Sequence, residues 1–143
     1  MPGTLITPRQ SGHPGYSESM ARTPETTGRA RTLARIALSA WHMDKDADTA
    51  ALLLSELFTN AVRHAAGERV RVIVERPQAD RVHIAVVDRA PHLLPRVREA
   101  GGEETSGRGL ALVEEIADRW GYQFLGDGHR PWGKRVWAEM QVM

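Results

Sequence analysis

A chain of 143 residues can bury one core but not two, and 41% hydrophobic with 26% charged residues is ordinary for a globular domain. The formal net charge of +1 gives no whole-molecule field that would draw in nucleic acid or an anionic membrane, and the absence of cysteine excludes disulfides and thiolate metal sites. No run approaches the roughly 18 apolar residues of a membrane span, and the first 19 residues lack the apolar stretch of a secretory signal, so a cytoplasmic address is expected.

Residues 1 to 15, rich in Pro, Gly, Ser and Thr, read as a flexible tail, which leaves 16–143 as a single domain. A short strand is expected over Gly15–Ala21. Thr23-Pro24-Glu25 then supplies an N-cap, a proline at the first helical position and an acid favoured by the helix dipole. Leu33, Ile36, Ala37 and Ala40 carry that helix to about Trp41. Asp46 or Asp48 opens a longer helix that ends near Ala66-Gly67. The period then changes: Val70, Val72, Val74 and, after Pro77-Gln78-Ala79-Asp80, Val82, Ile84, Val86 alternate with polar residues, as in a β-hairpin with one core face.

Residues 89–106 read as a long loop. A third helix is expected over 107–120 through Leu110, Leu112, Val113, Ile116 and Ala117. Two strands, 122–125 and 135–142, follow, joined across 126–133. This order is not an alternating βαβ pattern. It predicts an α+β two-layer sandwich with helices packed on one face of a mixed sheet.

Candidate chemistry begins in the second helix. Glu56 and Asn60 lie four residues apart, so they stack on one face about 40° apart, with His64 a turn further on. Leu53, Leu57, Ala61 and Val62 surround them, and a polar group bordering a core needs a partner from the protein or from outside. Asp88 ends a strand beside the long loop. Gly107-Arg108-Gly109-Leu110 opens a helix, where bare backbone amides can approach an anion. Gly133-Lys134 begins the last strand, and Lys134 is one of only two lysines. Each feature also has a plain reading: Glu56 paired with Arg63, Asn60 as a satisfied core amide, Asp88 as a turn residue, and the glycines as a simple loop-to-helix junction. The six histidines lack metal-ligand spacing, and Trp41, Trp120, Trp132 and Trp137 read as core or interface anchors.

Taken together and in order, these pieces resemble the GHKL superfamily of ATP-binding domains, and within it the small anti-sigma-factor serine/threonine kinases of bacteria. The resemblance runs from Thr23 to Gln141 and is carried by Glu56-Leu57-Phe58-Thr59-Asn60-Ala61-Val62-Arg63-His64-Ala65, Gly107-Arg108-Gly109-Leu110-Ala111-Leu112-Val113 and Gly133-Lys134-Arg135-Val136-Trp137-Ala138-Glu139. It implies a GHKL-type fold that binds ATP and Mg, with Asn60 as the magnesium ligand, Glu56 as general base and Asp88 as acceptor for the adenine amino group. Gly107, Arg108, Gly109 and Leu110 would cover the phosphates, with Lys134 also at the nucleotide. Phosphorylation of an anti-sigma-factor antagonist, sequestration of a sigma factor and a homodimer follow from the same resemblance, with no direct nucleic-acid or membrane partner. One departure stands out: where the family has Asp-x-Gly-x-Gly, this chain has Asp88-Arg89-Ala90-Pro91-His92. That substitution keeps open an alternative, a protein-binding adaptor with the fold but weak or absent catalysis. The catalytic piece of a sensor histidine kinase is disfavoured, since nothing before Thr23 resembles a dimerising helical hairpin with a phospho-accepting histidine.

Overall fold

Valines alternating at 70, 72 and 74 need a surface to cover them, and three helices provide it. The computed structural model describes residues 7–8, 14–90, 108–127 and 129–142. In chain order these form β1 (Thr7–Pro8), β2 (Gly15–Ala21), α1 (Thr27–Ala40), α2 (Ala47–His64), β3 (Arg69–Gln78), β4 (Arg81–Asp88), α3 (Arg108–Ile116), β5 (Arg119–Asp127) and β6 (Arg130–Gln141). Single 3-10 turns at Pro24–Thr26 and Asp44–Asp46 lead into α1 and α2. The strands make one sheet in the order β1-β2-β3-β4-β6-β5.

The expected α+β sandwich forms, with all three helices on one face. The sheet, however, is antiparallel at every pairing rather than mixed. The β3–β4 and β5–β6 hairpins are antiparallel because their turns are short. They meet edge to edge through β4 and β6, and the order of elements along the chain does not fix the sense of that junction. Val72, Val74, Val82, Ile84, Val86, Val136 and Ala138 line the inner face against Leu33, Leu38, Leu53, Leu57 and Phe58. Burial of such side chains contributes about 1.5–3 kcal/mol each. Helix α2 lies between α1 and α3 and crosses β4 and β6, so its polar flank is held at the centre of the helical layer.

Three expectations need correction. Within the stretch read as a tail, Thr7–Pro8 pairs with Tyr16 and Ser17 of β2, whose free edge offers a ladder that a proline tolerates; residues 1–6 and 9–13 lie outside the described residues. The third helix stops at Ile116, and Trp120 belongs to β5 opposite Ala138. Asp118 causes the switch: its N–H donates to the Glu139 carbonyl (2.9 Å) and its carboxylate accepts from the Gln141 N–H, which docks the chain on β6. The β5–β6 ladder also runs on to Asp127 and Arg130, past a bulge at Leu125/Gly126, so most of 126–133 is strand.

The outer face of the sheet is ionic where the inner face is apolar. Cross-strand register places Glu75, His83, Glu139 and Arg119 in one row. Glu139 accepts from Arg119 and lies 2.7 Å from His83 Nδ1 and 3.7 Å from Arg81. Arg135 reaches Glu75 at 3.0 Å, and the His83 ring stacks on Trp137 at 5.4 Å between centroids. Burial pushes the His83 imidazole below its ordinary value despite the pull of Glu139. Burial would raise Glu139, but the hydrogen bonds from Arg119 and His83 outweigh it and hold the carboxyl below the usual range.

Candidate functional site

Helix α2 presents two polar side chains that no described residue hydrogen-bonds. Leu53, Leu54, Leu57, Phe58 and Ala61 fill its inner side, while Glu56 and Asn60 are half-buried one turn apart on the flank. Among the described residues neither side chain makes a hydrogen bond or an ion pair. Burial pushes the Glu56 carboxyl above its ordinary value, and the guanidinium groups of Arg31 and Arg63 pull it partway back. A carboxylate with a raised proton affinity, beside an unbonded amide, can accept a proton from a hydroxyl placed between them and a ligand.

The last turn of α2 is fixed by a residue far away in sequence. Carbonyls at a helix C-terminus lack intrahelical donors and carry the negative end of the dipole. Arg22, just past β2, donates Nη1 to the Val62 carbonyl (2.6 Å) and Nε to the Gly67 carbonyl (2.6 Å). Its own N–H donates to the Glu68 carbonyl at 2.8 Å. The turn that follows Asn60 is thereby clamped to the first long strand. Nothing in the sequence singled Arg22 out.

At the end of β4 the situation is the reverse. Asp88 and Lys134 face each other across the β4–β6 ladder, 3% and 2% exposed. Lys134 Nζ donates to Asp88 Oδ1 (3.0 Å) and to the Ala90 carbonyl (2.7 Å), and the Ala90 N–H donates to the same Asp88 oxygen (2.8 Å). An aspartate turn and an ammonium group therefore hold the chain where the resembling family has its first glycine. Ala90 is fully buried, and its φ is not positive, so it is not in the left-handed region that would strain alanine. Gly133 completes the arrangement: a Cβ there would sit 2.3 Å from the Asp88 carbonyl oxygen, so only glycine lets β6 come this close.

Residues 20–138 match the histidine kinase-like ATPase domain family. The chain belongs to that family. The mycobacterial sensor histidine kinase MprB is similar in structure over 87% of this chain and 98% of its own, with a TM-score of 0.50 and 15% identity, a likeness of fold. No curated protein matches by sequence.

A histidine kinase-like ATPase domain binds ATP, and the residues expected to do so here are distributed unevenly between described and undescribed chain. Gly107 lies outside the described residues, as do Pro91 and His92. Arg108, Gly109 and Leu110 open α3, whose first-turn amides have no helical acceptor. The Leu110 side chain is 2% exposed in the core, so only its backbone can face a ligand. No group of three His, Asp or Glu among the described residues could hold a metal unaided. Magnesium still fits the donor set, because it binds through one or two protein oxygens, water and substrate phosphates, and the Asn60 amide is such an oxygen. No helix among the described residues is long and apolar enough to cross a membrane.

Proposed function

We propose that this ATPase domain is a regulatory serine/threonine kinase of the anti-sigma-factor type, which phosphorylates an anti-sigma-factor antagonist and sequesters a sigma factor when that antagonist is unavailable. The observation that carries the reading is the pair of unbonded, half-buried side chains on α2, Glu56 and Asn60. In this scheme Asn60 holds the magnesium that bridges the ATP phosphates, and the first-turn amides of α3 meet phosphate oxygens. Glu56 orients the incoming hydroxyl and takes its proton, a role that its burial-raised carboxyl suits. Asp88 keeps its second carboxylate oxygen for the adenine amino group, and Lys134 acts by holding Asp88. Incubation with γ-labelled ATP and the cognate antagonist should transfer label to a serine or threonine. Transfer undiminished by Glu56→Ala refutes the base assignment.

A second reading has its own support. Asp88 Oδ1 already accepts two hydrogen bonds, and alanine replaces the first loop glycine, as in an adaptor that kept the fold and lost nucleotide affinity. Calorimetry with ATP and magnesium separates the two readings: no heat at millimolar nucleotide favours the adaptor.

A further inference from the structure

The outer sheet face divides into two halves of different electrical character. Around Glu139 every arginine meets an acid: Arg81, Arg119 and Arg135 pair with Glu139 or Glu75. At the other end, near the start of β3, a pocket of about 230 Å³ is lined by Arg69, Arg71, Arg89, Ser19, Val87 and Trp132. None of its arginines pairs with an acid among the described residues. Arg69 donates to the Ser19 hydroxyl and carbonyl (both 2.9 Å) and Arg71 to the Ser17 hydroxyl (3.2 Å). Arg89 has no ion pair or hydrogen bond among the described residues. Asp88 also borders the pocket, but its carboxylate is buried on Lys134.

Three like charges converging on one concavity repel one another, and neutral oxygens do not offset that cost. A dianion does. We propose that this pocket binds a phosphoryl group, the head of a phosphate monoester. Guanidinium forks match phosphate oxygens in pairs. The Ser19 hydroxyl, already an acceptor from Arg69, keeps a proton to donate. The Trp132 indole, 54% exposed at the rim, gives an organic ester a flat apolar wall. Glu56 and Asn60 do not line this pocket, and Asp88, the one residue it shares with the nucleotide reading, is held by Lys134, so it is a second site.

The test is titration of the full chain, isotope-labelled at Trp indole and Arg Nε positions, with inorganic phosphate and separately with phosphoserine at constant ionic strength. Saturable shifts of the Trp132 and Arg89 signals are expected, with binding read at Trp132 weakened about tenfold in Arg89→Gln and lost in the R71Q/R89Q double variant. Arg89→Gln removes an exposed side chain that holds nothing, so folding is preserved. Tighter binding of phosphoserine assigns an organic ester, whereas equal binding assigns phosphate itself. The shifts should persist in Asn60→Ala, which removes the amide oxygen on which the nucleotide reading depends and so separates failure of one reading from failure of the other. Shifts reproduced by chloride, unchanged in the double variant, or lost in Asn60→Ala overturn the proposal.

Discussion

The flank of α2 and the end of β4 both carry buried or half-buried polar groups, yet they are opposites. At β4 the Lys134 ammonium, Asp88 Oδ1 and both backbone groups of Ala90 bond to one another within the chain. On α2, Glu56 and Asn60 receive no hydrogen bond or ion pair among the described residues. A polar group satisfied internally is part of the scaffold and is expensive to remove. One left unsatisfied is held there for something else and should be cheap to remove.

Mutations put that contrast to the test. Lys134→Ala should cost the most, about 3–5 kcal/mol in a urea melt, because it strands a buried carboxylate; Asp88→Asn combined with Lys134→Met should recover most of the loss. Gly133→Ala should cost about 2–3 kcal/mol, since the strand must retreat from the Asp88 carbonyl. Arg22→Ala should cost about 1 kcal/mol by baring the Val62 carbonyl, with faster amide exchange confined to the end of α2.

The α2 residues should behave otherwise. The folded state holds the Glu56 proton more tightly than the unfolded chain, so this residue favours folding at acid pH, and the benefit fades as pH rises through its raised value. Glu56→Gln should therefore leave stability unchanged at acid pH and raise it slightly at neutral pH, by less than about 1 kcal/mol, as its flank is only half-buried. Asn60→Ala should shift stability within about 0.5 kcal/mol while abolishing the heat of ATP and magnesium binding. A large stability loss at Asn60 would place it with Asp88 in the scaffold.

Sequence spacing revealed most of the fold because most elements bury one face. Strand β2 emerged with its bounds intact, and the β3–β4 hairpin was read from alternating valines. What spacing missed depended on contacts between distant segments. Trp120 has the look of a helical residue, but Asp118 docks on β6 and draws it into the sheet. Gly133 was read only as the start of the last strand, and its reason is a carbonyl 45 residues away. Glu56 and Asn60 were legible as a pair from their four-residue period alone. The Asp88–Lys134 bond was not, because neither residue carries a local sign of the other, and the same holds for Arg22. The arginine pocket had a faint signal in the alternation Arg69-Val70-Arg71, which puts both charges on the face away from the core.

The fork of Arg22 has one more consequence. A polypeptide trimmed to start at α1 would retain every side chain named for ATP chemistry and still lack the anchor of the turn beside Asn60. The opening strand is thus as much a part of α2 as the helix's own residues, and pulling on one end should be felt at the other.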